Sequence, residues 1–323
     1  MKLEKSKSLF TYYSLPIGFF LLIFLTTIYA YHQTKKRGLL LKRQAFEFRT
    51  QLAKSAIERR FLQNTQLLRG AKGFFESTQT VTRQEWYRYI KTLQLDKMYP
   101  GIQGTGFAQM VKSGEVKAHI EAIRSEGFPD YTITPAGERP IYIPIIFLEP
   151  FEGRNLSAFG FDMYSDSIRR EAMDKAWVTG EPALSGKLTL VQEITEVKQP
   201  GFLLYLPVYN TKTESLTVSE RLSNLVGFVY NPFRAYDLMS GIFQDHYPDL
   251  DIEIYDGVIK KENLLYDKEH SVSCLTTKDL QTSSEVYLAQ RKWTICFAAT
   301  PGFGASPDDD LPKVILAGGT IIG

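Results

Sequence analysis

The first strong pattern along the chain is an apolar run near the amino terminus. Residues 14–31 read SLPIGFFLLIFLTTIYAY without a charge, and lysines or arginines lie on both sides, at Lys5, Lys7 and Lys35 to Arg37. A helix needs roughly 20 such residues to cross a bilayer, so we predict a transmembrane helix over 14–31. A cleaved signal peptide or a buried core helix are the alternatives, but no convincing small-residue cleavage site follows.

Residues 32–75 have the pattern of a long amphipathic helix. Proline is absent, and apolar side chains recur every three or four residues at Leu41, Ala45, Phe48, Leu52 and Ala56 among many charged ones. Such a stalk either packs on its own domain or pairs with a second copy through a coiled-coil-like seam. We expect a homodimer through this helix.

Residues 76–231 alternate between helical and strand-like patterns. Thr82 and Glu85 have capping-box spacing, and further helices are expected at about 115–124 and from a cap at Ser165 to Thr179. Strand-like runs are YTI at 131–133, IYIPIIFLE at 141–149, ALSGKLTLV at 183–191, FLLYLPVY at 202–209 and LVGFVY at 225–230. This mixture predicts the α+β class, with a sheet covered by helices.

A boundary is expected at Asn231-Pro232-Phe233, where a short helix through Leu238 and Met239 follows. Five short strand candidates come next: DLDIEIYDG at 249–257, LLYD at 264–267, SVSCLTT at 271–277, SEVYLAQ at 284–290 and RKWTICFAA at 291–299. Residues 232–307 are therefore predicted to form a second, smaller and mostly β unit.

Residues 311–323 read LPKVILAGGTIIG and stop inside an apolar run. We interpret this run as the start of a second transmembrane helix and the chain as a fragment of a longer protein. Two spans around a large folded region predict an exported loop. Residues 1–13 are then a short cytoplasmic terminus.

Composition and charge narrow the function. The 323 residues carry 38 Lys+Arg and 36 Asp+Glu, a formal net charge of +2, and 44% are hydrophobic. This is globular composition with chain enough for two folded units. Nucleic acid needs a concentrated basic face, so it is not an expected partner.

No catalytic or cofactor motif emerges from the sequence. His32, His119, His246 and His270 are scattered without metal-ligand spacing, and we expect no metal, no cofactor and no catalytic residue in this chain. The glycines of 101–106 follow GxxGxG, which is neither a dinucleotide fingerprint nor a Walker motif. They are more typical of close packing that excludes side chains. An exported anchored hydrolase would need a catalytic set that these histidines do not supply.

The two cysteines, Cys274 and Cys296, lie in neighbouring strand candidates. In an oxidising compartment they would close a disulfide, whereas in the cytosol they would be two small buried apolar residues. The exported location makes the disulfide a candidate, and both alternatives stay open.

An ordered series of motifs then resembles a known family, the CHASE domain. These motifs are Arg69-Gly70 before Phe74-Phe75, Trp86 with Tyr89, PGIQGTGFA at 100–108, EGFPDYTI at 126–133, YIPIIFLEP at 142–150, N-x4-G-x-D from Asn155, TGEPALSGKLTLVQE at 179–193 and GFLLYLPVY at 201–209. The CHASE domain is the exported sensory module of bacterial histidine kinases and nucleotide cyclases, and is similar to the sensor domain of plant cytokinin receptors. The resemblance covers about residues 65–230.

The resemblance implies an architecture and a location. A CHASE sensor would have the stalk helix at 32–75, a membrane-distal PAS-like domain at 76–231 that holds the ligand, and a membrane-proximal PAS-like domain at 232–307. It would be anchored in the inner membrane, with the sensor region periplasmic or extracellular. Its output domain, a histidine kinase or diguanylate cyclase, would lie outside this sequence, so this fragment would itself be no enzyme.

The resemblance also implies ligand contacts. Asp162 matches the acidic residue that accepts hydrogen bonds from an adenine edge in the plant receptors, and Leu184 would offer backbone groups. The expected apolar walls are Phe147, Phe161, Met163, Leu188, Leu204, Leu206, Gly227 and Phe228. Thr179 and Gly180 match a position that affects ligand response and are more typical of a helix end.

A further polar contact is expected within Gln192 to Thr195, but its register stays open. We therefore expect a small-molecule sensor, with an adenine-like or cytokinin-like compound as one candidate ligand. The alternative is a periplasmic dimerisation or protein-interaction module without a small-molecule ligand.

Overall fold

A computed structural model describes residues 2–194, 196, 198–210, 217–243, 246–268, 280–304 and 311–322. It combines helices with antiparallel sheets, so the α+β prediction is confirmed. The chain divides into two compact units, residues 1–51 with 299–323 and residues 52–298.

The helices and strands follow the chain in this order. The helices are α1 (Lys2–Ser77), α2 (Arg83–Thr92), α3 (Leu95–Met98), α4 (Val116–Ser125), α5 (Ser167–Thr179), α6 (Val218–Asn224), α7 (Ala235–Phe243) and α8 (Leu311–Ile322). The strands are β1 (Thr105–Gln109), β2 (Val111–Lys112), β3 (Ile141–Tyr142), β4 (Ile145–Glu149), β5 (Ala183–Leu184), β6 (Gly201–Tyr209), β7 (Leu225–Arg234), β8 (Leu250–Asp256), β9 (Leu264–Asp267), β10 (Gln281–Leu288) and β11 (Arg291–Ala299).

The unit formed by residues 1–51 and 299–323 contains the first part of α1 and all of α8. In the described part of the chain, α1 is the one helix long and apolar enough to cross a membrane, and its most apolar window is not buried. The ring of Phe46 meets that of Phe303 edge-on at 5.6 Å. Helical structure over 14–75 is thus confirmed, and a membrane anchor fits it.

The unit formed by residues 52–298 is built on a five-stranded sheet in the order β4-β1-β7-β6-β5. All nine residues of β6 are buried, which means that both faces of the sheet are covered. Phe61 of α1 stacks on Phe202 and lies against Phe233 on one face. On the other face, Ala172 and Ala176 of α5 join the apolar cluster around Tyr205 and Tyr230.

The central strand β7 continues to Arg234, so the strand end expected near Tyr230 is wrong, while the domain boundary at Asn231-Pro232-Phe233 stays a prediction. Leu203 of β6 pairs with Pro232, whose carbonyl accepts a hydrogen bond from the Gln103 amide at 3.0 Å. The nitrogen and the carbonyl of one strand residue point to the same side, so the Pro232 nitrogen also points away from β6, toward the residues that precede β1. The missing N–H therefore costs no hydrogen bond to β6.

A second sheet has the order β10-β11-β8-β9. Four of the five strand candidates after residue 248 are confirmed, and the fifth, at 271–277, lies outside the described residues. In the first sheet, the run at 131–133 is not a strand, and the run at 183–191 forms only β5. A small third sheet pairs β2 with β3.

The helix caps and the close backbone packing predicted from the sequence are present at most of the expected positions. The Thr82–Glu85 capping box is present at the start of α2, and the predicted close packing occurs at Gly106, where a Cβ would lie 2.6 Å from the Phe147 carbonyl oxygen. The cap of α5 is Asp166, which accepts from the Arg169 amide, so the prediction of Ser165 is wrong by one residue. Ser165 instead ends a 3-10 turn that Asp162 caps.

Phe61 is the residue of α1 that joins both sheets. Its ring is 5.2 Å from that of Trp293 on β11, in addition to the contacts with Phe202 on β6 and Phe233 on β7. Phe61 is 3% exposed, while its neighbour Leu62 is 59% exposed. The two residues thus form a matched buried and exposed pair on one helix.

Phe61→Ala is expected to destabilise the protein by about 3–5 kcal/mol, because it leaves a cavity where α1 and the two sheets meet. Denaturant unfolding of the chain in detergent micelles, followed by tryptophan fluorescence, measures this loss. Leu62→Ala is the control and should change the free energy of unfolding by less than about 0.5 kcal/mol. Equal effects of the two substitutions would contradict the packing described here.

Candidate functional site

Asp162 lies just before a 3-10 turn, Met163–Ser165, and is fully buried. Its Oδ1 accepts two backbone hydrogen bonds, from the Ile143 amide at 2.8 Å and from the Tyr164 amide at 3.1 Å. One carboxylate oxygen thus ties the segment before β4 to the turn that leads into α5.

The second oxygen of Asp162 faces Arg139. Arg139 Nε lies 2.9 Å from Asp162 Oδ2, but neither atom has an aligned hydrogen-bond partner among the described residues. The guanidinium of Arg139 also donates to the Pro135 carbonyl at 2.6 Å and lies over the ring of Tyr142. The Arg139 charge thus balances Oδ2 at ion-pair distance without an aligned N–H, and a better-aligned donor could compete for this buried oxygen.

Burial raises the pKa of the Asp162 carboxyl above its ordinary value, although the amides of Ile143 and Tyr164 and the Arg139 charge pull the pKa down. Desolvation of the charged form outweighs these stabilising contacts. A ligand with N–H donors would supply further stabilisation of the carboxylate.

Four of the predicted wall residues lie with Asp162 on the α5 side of the first sheet. Met163, Leu188 and Phe228 belong to the buried cluster on that side, and Phe161 packs against it. The hydroxyl of Tyr205 contacts Met163 Sδ at 3.6 Å. These residues form an apolar surround for the carboxylate.

The remaining predicted residues lie on the α1 side of the sheet. Side chains alternate along β6, so Leu204 and Leu206 share the face of Phe202, which packs on α1. Leu184 pairs with Leu204, and its amide donates to the Ala289 carbonyl at 2.9 Å. The remaining two, Phe147 and Gly227, lie beside the ring of Phe107 on this same side. The ten residues therefore do not line one pocket, and the role of each stays a prediction.

Two buried polar residues near Asp162 escaped sequence analysis. Arg169 of α5 is 4% exposed, pairs with Asp166 at 3.1 Å and lies over the Phe161 ring. The hydroxyl of Tyr230 is buried without a partner among the described residues. The burial of Arg169 could have been predicted from its spacing. It lies three residues before Ala172 and seven before Ala176, which places it on the buried face of α5.

The segment expected to hold a further polar contact is not a strand. Gln192 and Glu193 are buried, and Glu193 Oε1 accepts from Arg234 Nε at 2.6 Å. Ile194 is 65% exposed, and Thr195 lies outside the described residues. Gly180 ends α5 with a left-handed φ of 75°, so Thr179 and Gly180 are helix-end residues as expected.

A cavity of about 820 Å³ lies between α2 and the segment that follows β4, and we call it the α2–β4 cleft. Its lining residues are Arg83, Gln84, Tyr87, Ile90, Lys91, Gln94, Leu95, Asp96, Phe147, Leu148, Glu149, Pro150, Phe151 and Glu152. Phe147 is the one predicted wall residue in this cleft. A second cavity of about 410 Å³ includes Leu188 and lies beside Asp256 of β8.

The cysteine and histidine predictions have different outcomes. Cys296 on β11 is buried and disulfide-bonded, but Cys274 lies outside the described residues, so their pairing stays a prediction. Burial lowers the pKa of His119 to about 4, and its Nε2 lies 2.9 Å from the Tyr131 hydroxyl. Among the described residues, no group of three or more His, Cys, Asp or Glu side chains has a metal-binding arrangement.

Asp162→Ala is expected to be strongly destabilising, because each buried amide left without an acceptor costs about 1–3 kcal/mol. Asp162→Asn retains an oxygen for the Ile143 and Tyr164 amides and should lose less than half as much. Denaturant unfolding at pH 7 measures both, with the exposed Asp130→Ala as the control.

The pH dependence provides a second readout. Because the pKa of Asp162 is higher in the folded protein than its ordinary value of 3.8, the wild type loses stability relative to Asp162→Asn as the pH rises through the raised pKa. Equal losses for the alanine and asparagine variants would contradict the capping role.

Comparison with known proteins assigns the chain to a family. The model of the CHASE domain matches residues 79–266. A solved structure described as "Methyl-accepting Chemotaxis protein X" is similar over 82% of this chain and 100% of its own chain, with 12% identity and a TM-score of 0.47. Curated proteins give no match. Because the family model spans more than half of the chain, this protein belongs to the CHASE domain family of extracellular sensory domains.

Proposed function

We propose that the chain is the exported ligand-sensing region of a transmembrane signalling receptor. Its CHASE domain supports the sensory role, and the apolar segment of α1 supports the anchor. The proposal includes an inner-membrane location and a cytoplasmic output domain of the histidine kinase or diguanylate cyclase type. Under this proposal, the sheets of residues 76–231 and 232–307 are the cores of a membrane-distal and a membrane-proximal PAS-like domain.

The observation that carries the ligand proposal is the buried Oδ2 of Asp162, which faces Arg139 without an aligned hydrogen bond. A small planar molecule with N–H donors, such as an adenine-like compound, would replace Arg139 at this oxygen. Phe161, Met163, Leu188 and Phe228 would contact its apolar parts. Arg139 is suited to move because its side chain is 22% exposed, whereas Asp162 is fixed by two amides.

Dimerisation is proposed through the α1 seam. Leu41, Phe48 and Leu52 are 57%, 64% and 37% exposed in the single chain, although their spacing is that of a helix contact. A ligand changes signalling only if it binds two arrangements of the dimer unequally.

The β10–β11 hairpin is a route for the signal between the two sheets. Its turn residues Ala289 and Gln290 have positive φ values of 42° and 65°, which non-glycine residues rarely adopt. The side-chain amide nitrogen of Gln290, Nε2, donates to Thr179 Oγ1 and to the Pro182 carbonyl, each at 3.0 Å. These bonds, with the Leu184-to-Ala289 bond, join the hairpin turn to the end of α5 and to β5. Positive φ at both positions is the geometry that a two-residue hairpin turn between Leu288 and Arg291 requires.

The ligand proposal predicts opposite effects of two substitutions. Thermal-shift screening of the chain in nanodiscs with purines and related planar heterocycles that carry N–H donors should find a ligand that raises the melting temperature. Asp162→Asn should abolish that shift, whereas Arg139→Ala should enlarge it, because the competing guanidinium is gone. Asp174→Asn, at an exposed neighbouring carboxylate, is the control.

A shift that survives in Asp162→Asn would place the ligand elsewhere. No shift with any compound in wild type and Arg139→Ala would instead favour a protein-interaction module.

Gln290→Gly is expected to loosen the connection between the sheets, because glycine adopts the positive φ of the turn but lacks the side-chain amide. Hydrogen–deuterium exchange should become faster at residues 181–184, with β6 unchanged, because the side-chain amide bonds to the α5 end are lost. Lys292→Gln, which removes only an exposed pair with Glu285 in the same hairpin, is the control. Unchanged exchange at residues 181–184 would contradict this route.

A further inference from the structure

The floor of the α2–β4 cleft is apolar. Ile90, Leu95, Phe147 and Leu148 line it and are each less than 9% exposed. The rings of Tyr87 and Phe151 stand at its sides. At about 820 Å³, the cleft has the volume of a small-molecule site, and its floor suits a compact apolar body.

One cation of the cleft, Arg83, is already committed to its own chain. Its Nε donates to Glu126 at 2.7 Å, and its Nη1 donates to the Ile146 carbonyl at 2.7 Å. Its guanidinium also lies over the rings of Phe128 and Phe147 at 4.4 and 5.1 Å. Nε and Nη1 of Arg83 are thus held by its own chain, whereas Nη2 is buried without an aligned partner among the described residues.

The acidic side chains of the cleft are less committed. Glu149 ends β4 above the apolar floor, and its Oε2 accepts from the Phe151 amide at 3.1 Å. Among the described residues, Glu149 makes no ion pair within 4 Å. Burial and the Glu152 charge raise the pKa of its carboxyl, against the opposing effects of the Phe151 amide and the Arg83 charge. Asp96 and Glu152 add two exposed carboxylates at the rim, against the single ammonium of Lys91, which lies on Tyr87.

A ligand that suits this arrangement carries a positive charge and an apolar body. A protonated amine would give Glu149 the charge-assisted hydrogen bonds that its own chain does not supply. Aromatic rings within reach of the amine add a favourable cation–π contribution. A carboxylate ligand would instead meet three acidic side chains against the two cations, Arg83 and Lys91.

We infer that the α2–β4 cleft is a binding site for a small organic amine with an apolar body, in which Glu149 receives the ammonium group. This site is separate from Asp162 and does not depend on the ligand proposed there. It lies against the α1 side of the first sheet, through Phe147 and its contact with Phe75 of α1.

The test is calorimetric titration of the whole chain in nanodiscs with 2-phenylethylamine at pH 7.5, against phenylacetate as the anion of similar shape. We expect the amine to bind at least about tenfold more tightly than phenylacetate. Glu149→Gln keeps the acceptor for the Phe151 amide and should weaken amine binding by about tenfold or more. Affinity should also fall as the pH is lowered through the raised pKa of Glu149.

Two further variants make the outcome specific. Glu152→Gln, at the exposed rim, should change the affinity less than about threefold, and Asp162→Asn should leave it unchanged. Equal binding by Glu149→Gln, equal binding of phenylacetate, or no amine binding at millimolar concentration would each overturn the inference. Loss of amine binding in Asp162→Asn would assign the amine to the Asp162 site instead.

Discussion

The contact of Phe61 with Phe202, Phe233 and Trp293 is the constraint on which the architecture of residues 52–298 depends. One ring from α1 touches a strand of each large sheet, so helix and sheets cannot be repositioned independently. Close-packed aromatic contacts of this kind have few alternative arrangements of similar energy. A receptor that must convert binding into a discrete change benefits from such a junction, because it favours switching between arrangements over gradual deformation.

The two faces of the first sheet pack against different elements. One face meets α5 and surrounds Asp162 with apolar side chains, while the other meets α1 and, through Phe147, the α2–β4 cleft. Asp162 is held by two backbone amides and is fully buried, whereas the Arg139 side chain is partly exposed. The hairpin turn at Gln290 connects the α5 end with the second sheet.

Local patterns predicted the local elements well. The capping box at Thr82 and the strand runs of β6, β8 and β11 could be read directly, because cap spacing and strand composition depend on nearby residues. The continuation of β7 through Pro232 depends on where β1 begins, which no local pattern contains. The geometry of the site was harder to predict from the sequence. The alternation of side chains along a strand assigns neighbours to opposite faces but does not say which face packs on α1. Arg139, which contacts Asp162, lies in a loop that has no periodic pattern.

The complete burial of β6 has one more consequence. The apolar residues around Asp162 and the part of α1 that packs on Phe202 lie on opposite faces of a single layer of backbone, so their side chains do not contact each other across it. Under the proposed function, a conformational change would therefore cross the sheet as a change in the position or twist of its strands.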